Sequence, residues 1–227
     1  MHDTHELKII ACIRNDFPTK FGIPRQSGLT NLESKIVFEP EYRREEAFRG
    51  IEGYSHLWLI WEFSEARREN WSPTVRPPRL GGNRRMGVFA TRSPFRPNPI
   101  GLSSVRLLGV ETTEEGPVLR VTGADLMDGT PIYDIKPYLP YTDSHPDAVG
   151  GFADEKKDYR LAVVFPEDLL EKVAESKREA LLELLAGDPR PQYIQDPNRL
   201  FGFEFAGVEI RFTVENKTLT VREAEPK

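Results

Sequence analysis

The run His-Leu-Trp-Leu-Ile-Trp-Glu-Phe at residues 56–63 is strongly apolar and aromatic. Apolar side chains fall on both sets of alternating positions, which predicts a β-strand buried on both faces. Outward from this run, residues 7–13 form another β-rich stretch, and residues 41–49 predict one or two helical turns. The strands before residue 165 are separated by loops and not by helices, so the sequence excludes a doubly wound α/β sheet.

Beyond residue 100 the sequence predicts a hairpin and a tight turn. Residues 103–110 and 118–122 predict two strands joined around Glu-Glu-Gly at residues 114–116. Asp-Gly-Thr-Pro at residues 128–131 predicts a turn, because Asp-Gly readily supplies the positive φ that tight turns need. Residues 132–135 predict the strand that follows.

The last third of the chain has a different pattern. Apolar positions with a helical period predict one long helix over residues 166–186, which Gly187 would end. Alternating apolar residues from 208 to 214, followed by Asn-Lys at 216–217, predict a hairpin. The tail therefore predicts a small α+β unit.

The polar segment at residues 143–158 is rich in Gly and Asp and typical of a linker. It divides the chain into two predicted domains. We expect a mainly β fold, with an antiparallel β-barrel domain at residues 1–158 and a small α+β C-terminal domain at residues 159–227.

Composition narrows the class of protein. With 227 residues, 38% hydrophobic and 30% charged, the sequence predicts a soluble globular protein. It has no stretch near the roughly 20 apolar residues that cross a bilayer, and its polar start lacks a signal-peptide pattern. Cys12 is the only cysteine and the four histidines are scattered, so we expect a cytoplasmic protein without a disulfide or a metal site.

Positive charge is concentrated in one window. Residues 70–110 contain seven Arg and no Asp, Glu or Lys, so the window carries +7 and the rest of the chain −12, for a net charge of −5. Arg presents a planar fork that suits phosphate and carboxylate, which favours an anion-binding surface. A solvated basic loop is the alternative. The arginines that we predict to bind nucleic acid are Arg76, Arg79, Arg84, Arg85 and Arg96.

Stiff loops surround this window. The long connection at residues 64–86 leads into Ser-Pro-Phe-Arg-Pro-Asn-Pro at 93–99, whose three prolines exclude a helix or a central strand. Asp134 and Lys136, two apart in a predicted strand, point to one face, where a structural ion pair is the alternative to a chemical role. His56 is likewise typical of a hydrogen-bonded core residue. By themselves, these residues predict a β-barrel with an Arg-rich anion-binding face and identify no reaction.

Three nearly contiguous motifs carry a family resemblance. Val-Arg-Pro-Pro-Arg-Leu-Gly-Gly-Asn occupies residues 75–83, and Met-Gly-Val-Phe-Ala-Thr-Arg-Ser-Pro-Phe-Arg-Pro-Asn-Pro-Ile-Gly-Leu occupies residues 86–102. Asp-Gly-Thr-Pro-Ile-Tyr-Asp-Ile-Lys-Pro-Tyr-Leu-Pro follows at 128–140. Together they resemble the TsaA/TrmO family. The resemblance weakens in the tail, where Asp-Pro-Arg-Pro at 188–191 is also similar.

This resemblance implies a methyltransferase that uses S-adenosylmethionine and is built on a β-barrel. It implies a homodimer with the cofactor site near the subunit interface. The implied substrate is N6-threonylcarbamoyladenosine beside the anticodon of tRNA, methylated at N6. The implied cofactor contacts are Pro24, Arg25, Gln26, His56, Leu57, Arg92, Leu102, Asp128, Gly129, Thr130 and Pro131.

The chemistry of this implied reaction suggests further roles. The acceptor nitrogen is amide-like and a weak nucleophile, so a nearby base would help the reaction. Asp134 is the candidate base, with Lys136 and Tyr138 as orienting neighbours, and Arg92 or Arg96 could bind the threonyl carboxylate. Two alternatives stay open: a non-catalytic barrel that binds tRNA or another anion, and a methyltransferase that acts on an acidic small molecule.

Overall fold

Two β-sheets hold most of the secondary structure of the computed structural model, which describes residues 5–67, 70–77, 84–190 and 196–227. The described residues up to 137 form β1 (Ala11–Arg14), β2 (Glu33–Phe38), β3 (His56–Glu62), β4 (Thr74–Val75), β5 (Met86–Gly87), β6 (Ile100–Thr113), β7 (Gly116–Thr122) and β8 (Pro131–Pro137). The short β4 and β5 pair with each other. The other six strands pair antiparallel in the order β1-β2-β7-β6-β3-β8, and β8 also pairs with β1. We call this closed sheet the six-stranded ring.

The prediction of a mainly β chain with antiparallel sheets is confirmed, and the ring lies where the barrel is predicted. The side chains of Leu57, Leu59 and Trp61 in β3 are buried, whereas Trp58 and Ile60 on the opposite face are only half-buried. The prediction that both faces of this strand are buried is therefore wrong. A closed antiparallel sheet packs one face of each strand on the core and turns the other face outward.

The predicted turns are present. β6 and β7 form the hairpin around residues 114–116, and β6 begins at Ile100, three residues earlier than predicted. Gly129 has a φ of +76° in the turn before β8. The helical turns predicted at 41–49 are 3-10 turns at Pro40–Tyr42 and Glu45–Phe48.

The second sheet lies in the tail. β9 (Ala162–Val164), β10 (Phe201–Phe205), β11 (Val208–Glu215) and β12 (Thr218–Pro226) pair in the order β10-β11-β12-β9. The predicted hairpin is β11–β12, and Asn216 and Lys217 both have positive φ in its turn. β9 is the parallel member of this sheet, paired with β12.

The single long helix predicted at 166–186 is wrong. Apart from the short α1 (Pro140–Asp143), the α-helices in the described residues are α2 (Glu167–Leu170) and α3 (Glu175–Ala186). Between α2 and α3 the chain turns so that Val173 is buried in the core. The side chain of Arg178 donates hydrogen bonds to the carbonyl oxygens of Val173 (2.9 Å) and Glu171 (3.3 Å), which compensates for the interrupted helix.

Buried apolar residues form two cores, one inside the ring and one between α3 and the second sheet. Phe17 and Leu32 belong to the second core although both precede β2 in the sequence. The first part of the chain thus contributes to both cores, and the domain division at residues 158 and 159 stays a prediction. In the described part of the chain, no helix has the length and apolar character needed to cross a membrane.

Candidate active site

A cavity of about 740 Å³ lies where β3 ends and β6 begins. Three loop segments, within residues 20–26, 63–66 and 92–98, form part of its wall. The ring and the segment before β8 supply the rest: Trp61, Glu62, Ile100, Gly101, Leu102, Asp125, Met127 and Thr130. The cavity therefore brings together residues that are far apart in the sequence.

Hydrogen bonds join the two main loops of this cavity. Arg92 Nη1 donates to Gln26 Oε1 (2.5 Å), and Gln26 Nε2 donates to the carbonyl oxygen of Arg25 (2.6 Å). Arg25 Nη2 in turn donates to the carbonyl oxygens of Asp188 (2.5 Å) and Arg190 (3.1 Å). The Pro24-Arg25-Gln26 loop is thus tied both to the Pro-rich loop and to the chain that follows α3.

The Pro-rich loop is fixed by its own contacts. The backbone N–H of Phe63 donates to the carbonyl oxygen of Pro99 (2.8 Å), and Arg96 Nη1 donates to that of Thr91 (3.2 Å). Proline restricts the backbone further, because its ring fixes φ. The predicted stiff loop is present, and it holds Arg92 and Arg96 at the cavity.

Glu62 is a buried carboxylate in the cavity wall, with 4% of its surface exposed. Arg67 Nε donates to Glu62 Oε1, and the Tyr133 hydroxyl donates to Oε2 (2.5 Å). The hydrogen bond from Arg67 lowers the pKa of Glu62, with a further lowering by Tyr133 that burial opposes. Burial and the hydrogen bond to Glu62 raise the pKa of Tyr133. Glu62 is thus held as an anion.

Asp125 lies on the same cavity in a different environment. Trp61 Nε1 donates to Ser103 Oγ (2.9 Å), and Ser103 Oγ donates to Asp125 Oδ1 (2.5 Å). Burial raises the pKa of Asp125, and the hydrogen bond from Ser103 and the charge of Arg92 oppose this rise. Gly101 makes the chain of bonds possible, because a Cβ at this position would overlap the Trp61 ring.

Only one residue of the Asp-Gly-Thr-Pro turn lines the cavity. Thr130 lines the cavity, and its hydroxyl donates to the carbonyl oxygen of Met127 (2.7 Å). The Asp128 carboxylate instead contacts Arg14 Nη1 (3.4 Å) and accepts the backbone N–H of Asn15 (3.0 Å). Asp128, Gly129 and Pro131 are not among the residues that line the cavity.

Only some of the predicted cofactor contacts therefore lie in the wall of the cavity. Pro24, Arg25, Gln26, Arg92, Leu102 and Thr130 line the cavity. Leu57 is fully buried inside the ring, and His56 lies at the other end of β3, where its Nδ1 is 2.9 Å from Ser55 Oγ. Neither of these two residues lines the cavity.

The predicted catalytic residues lie on the outer face of the ring. Lys136 Nζ and Asp134 Oδ2 are 2.8 Å apart, with side chains 61% and 45% exposed, which confirms that both point to one face. Asp134 pairs with Ile60 and Lys136 with Trp58, and the Tyr138 ring packs against Trp58 with a centroid distance of 5.5 Å. None of the three lines the cavity of its own chain.

Two arginines of the Arg window (residues 70–110), Arg92 and Arg96, line the cavity. Arg76, Arg84 and Arg85 are exposed, and Arg96 lines the cavity and a neighbouring cleft of about 500 Å³. Arg79 lies outside the described residues. Trp71 lines this cleft and is 52% exposed. Its ring centroid is 6.2 Å from that of Phe89, which is 74% exposed.

Comparison with known proteins identifies the family of the chain. Models of the N-terminal and C-terminal domains of tRNA-methyltransferase O match residues 12–144 and 158–227. The chain belongs to the tRNA-methyltransferase O (TrmO) family. The tRNA (adenine(37)-N6)-methyltransferase of Escherichia coli K12 is 40% identical to it, over 96% of this chain and 97% of that protein.

Two further relatives are consistent with this family. A Pseudomonas aeruginosa protein named as a putative S-adenosylmethionine-dependent methyltransferase is 40% identical over 92% of both chains. A crystal structure of TrmO from Pseudomonas aeruginosa matches with a TM-score of 0.80 at 34% identity and covers 100% of this chain and 99% of that one. The suspected family is thereby confirmed.

Sequence reasoning missed two carboxylates of this TrmO-family cavity. Glu62 is the one acidic residue in the apolar run at 56–63, a position where a carboxylate needs a partner. Asp125 stands between the buried residues Ala124 and Leu126, just before the Asp-Gly turn. A charged residue among apolar neighbours is the signal that could have identified both.

Proposed function

We propose that this TrmO-family chain transfers a methyl group from S-adenosylmethionine to N6 of an adenosine in tRNA. We further propose that the substrate is N6-threonylcarbamoyladenosine beside the anticodon. The observation that carries the proposal is the 740 Å³ cavity, because the Pro-Arg-Gln loop and the Pro-rich Arg92 loop meet in its wall. The names of the relatives support tRNA as the substrate and S-adenosylmethionine as the methyl donor.

The cavity fits S-adenosylmethionine in size and in chemistry. Its volume lies within the roughly 300–1,000 Å³ of typical small-molecule sites. Trp61 and Phe63 offer apolar surface to a nucleoside, Arg92 offers donors to a carboxylate, and Glu62 offers negative charge to a cation. Of the predicted contacts, we assign Pro24, Arg25, Gln26, Arg92, Leu102 and Thr130 to the cofactor held by their own chain.

S-adenosylmethionine, when bound, supplies a methyl group on a positively charged sulfur. The protein's part is to place the acceptor nitrogen in line with that methyl group, and placement alone can supply much of the rate enhancement. The Arg92–Gln26 hydrogen bond and the three prolines hold the cavity wall in shape before a ligand enters. Arg92 or Arg96, both on the cavity, would bind the threonyl carboxylate of the substrate.

The surface around the cavity suits a single-stranded part of tRNA. Arg76, Arg84 and Arg85 are exposed in a window that contains no acidic residue, and such uncompensated positive charge attracts phosphates. The neighbouring cleft shares Glu62, Phe95 and Arg96 with the cavity and adds Trp71. Exposed aromatic rings beside arginines are the groups on which unpaired bases stack. A nucleotide next to the methylated adenosine would therefore lie against Trp71 and Phe89.

We also propose a homodimer, because one chain does not gather all the predicted contacts. His56 and Trp61 are five residues apart on β3, which at about 3.3 Å per residue puts them roughly 17 Å apart. His56 does not line the cavity, so a cofactor held there would not contact it within one chain. A partner subunit that brings its outer β3–β8 face to the cavity would supply His56, and with it Asp134, Lys136 and Tyr138, whereas the side chain of Leu57 stays inside the ring.

The proposed organisation is a cytoplasmic enzyme with a cofactor-binding catalytic domain at residues 1–158 and a small C-terminal domain at 159–227. Family models that match residues 12–144 and 158–227 support this division.

The test uses labelled S-adenosylmethionine and two tRNA preparations, one with and one without the threonylcarbamoyl group. We expect label on N6 of the modified adenosine in the first preparation alone, and calorimetry should show cofactor binding without tRNA. Cofactor binding with transfer to neither tRNA would point to an acidic small molecule as substrate. Binding of tRNA without any cofactor binding at millimolar concentration would leave a non-catalytic binding protein.

A further inference from the structure

Among the residues that the structure describes, three carboxylates line the cavity: Glu62, Glu65 and Asp125. We propose that Asp125 accepts the proton of the substrate nitrogen during methyl transfer, held in place by Ser103 and Trp61. This inference rests on the proposed function. It assigns the proton to a residue inside the cavity, whereas the sequence predicts Asp134 on the outer face.

The other two carboxylates are poorly suited to this task. Glu62 already accepts hydrogen bonds from Arg67 and Tyr133, and the bond from Arg67 lowers its pKa, so it is a weak base. Glu65 is 3.6 Å from Lys20 Nζ, with a side chain 60% exposed. Its carboxylate is already paired with the ammonium group of Lys20 and is largely open to solvent, so it is not held in place for the substrate nitrogen.

Asp125 has the environment that a base needs. Its hydrogen-bond donor on Oδ1 is the neutral hydroxyl of Ser103, which leaves the carboxylate less stabilised than a guanidinium would. Burial raises its pKa above the ordinary range of an Asp. Burial makes the carboxylate more basic and proton transfer to it more favourable, and the Ser103 hydrogen bond and the charge of Arg92 only oppose this effect in part. In the described part of the chain, the other charged residues that line the same cavity are Lys20, Arg25, Arg92, Arg96, Glu62 and Glu65.

The proposed step balances in atoms and charge. The lone pair of the substrate nitrogen forms a bond to the methyl carbon, and the electrons of the carbon–sulfur bond remain on sulfur, which becomes neutral. The N–H proton passes to Asp125 and gives a carboxylic acid, which later releases the proton to water. The tryptophan and serine that precede Asp125 in the hydrogen-bond chain are positioning residues, since they act through the carboxylate.

Asp125→Asn is the direct test, because it keeps the shape and the Ser103 hydrogen bond but removes the basicity. We expect kcat to fall by roughly 10²–10⁴-fold, as for loss of a general base, with unchanged calorimetric affinity for the cofactor. The kcat of the wild-type enzyme should fall as the pH drops through the raised pKa of Asp125, and that of the variant should not.

Ser103→Ala tests the positioning role of Ser103 through the pH dependence of the rate, which a purely structural role would not change. The Ser103 hydrogen bond lowers the pKa of Asp125, so its loss should move the inflection of the pH–rate profile upward. Asp154→Asn is the control, since Asp154 also accepts one hydrogen bond from a neutral donor (the backbone N–H of Gly150, 2.7 Å) but lies outside the cavity. We expect a wild-type profile for this control.

The cofactor-free protein offers a second readout. The infrared spectrum of the wild type should contain a band from a protonated carboxyl group that titrates above the ordinary Asp pKa of about 3.9. This band should be missing in Asp125→Asn. A raised folded-state pKa makes the ionised group oppose folding as the pH rises through it. The variant should therefore have a higher Tm at neutral pH, and the gain should vanish in acid.

Four results would overturn the proposal. They are a normal kcat in Asp125→Asn, a loss confined to Asp134→Asn, a loss of cofactor affinity in place of kcat, or a lower Tm with normal turnover. If the wild type itself methylates no tRNA, the proposed function fails first. The two failures are thus distinguishable.

Discussion

At the scale of single residues, the cavity depends on the small size of Gly101. A Cβ there would overlap the Trp61 ring, whose Nε1 donates to Ser103 (2.9 Å). We predict that Gly101→Ala lowers the free energy of unfolding by about 1–3 kcal/mol, the usual effect of overpacking a tight site. Because Trp61 must move, Ser103 should also lose its donor. Urea denaturation at pH 7 measures the change.

Gly53→Ala is the control for this prediction. No atom lies within 4 Å of the position that a Cβ on Gly53 would occupy. The control should therefore match the wild type. Equal stability of the two variants would show that Trp61 has room to move, and that Gly101 does not set the cavity wall.

Residue patterns identify the loops of the site better than its carboxylates. Three prolines near Arg92 and a Pro-Arg-Gln segment predict stiff binding loops, and the structure joins the two through the Arg92–Gln26 hydrogen bond. The partners of the carboxylates are remote: Ser103 is 22 residues from Asp125, and Tyr133 is 71 residues from Glu62. No local pattern contains these pairs. The sequence therefore cannot predict that hydrogen bonds stabilise the anion of Glu62 or that burial makes Asp125 more basic.

At the scale of elements, the connection between β4 and β5 and the segment after it carry the exposed arginines. We predict that Arg84→Ala/Arg85→Ala weakens tRNA binding and reduces the log–log slope of affinity against salt by about 2, roughly 1 for each arginine that no longer binds a phosphate. Cofactor affinity should not change, because neither residue lines the cavity. Filter binding over a range of salt concentrations measures the slope.

A matched pair of exposed arginines is available elsewhere. Arg44 and Arg49 are also exposed but flank Glu45 and Glu46. Their double Ala variant should keep the wild-type slope. If both double variants bind tRNA as the wild type does, the Arg window is a solvated surface and the substrate is held by other residues.

Element prediction succeeded where alternation was clear and failed where packing overrode it. The β6–β7 hairpin and β11–β12 follow their sequence patterns, and β3 is a strand as predicted although only one of its faces is fully buried. β2 gives a weak pattern because the polar Ser34 occupies a buried position beside Ile36 and Phe38. The helix at 166–186 breaks because Val173 is drawn into the core and Arg178 satisfies the freed carbonyls. Tertiary contacts decide both cases.

At the scale of the whole molecule, strand order is the feature that local patterns do not contain. β2 pairs with β7 and β1 with β8, so the closure of the ring joins segments about 100 residues apart. The motifs that flank these strands meet at one end of the ring only because it closes. The cavity, unlike the strands, is thus a property of the complete fold.

The last prediction concerns the dimer and tests whether two chains share one site. Arg92 lines the cavity of its own chain, whereas His56 lies at the far end of β3. Arg92→Ala and His56→Ala homodimers should both be nearly inactive. Co-expression of the two variants should restore about a quarter of wild-type activity, because half of the random dimers are mixed and each holds one intact site. Arg92→Ala with Gln26→Ala should recover nothing, since both residues belong to the same wall of one chain. Light scattering should report a dimer at micromolar concentration. A monomer, or equal recovery in both pairings, would mean that each chain works alone and that His56 does not contact the cofactor.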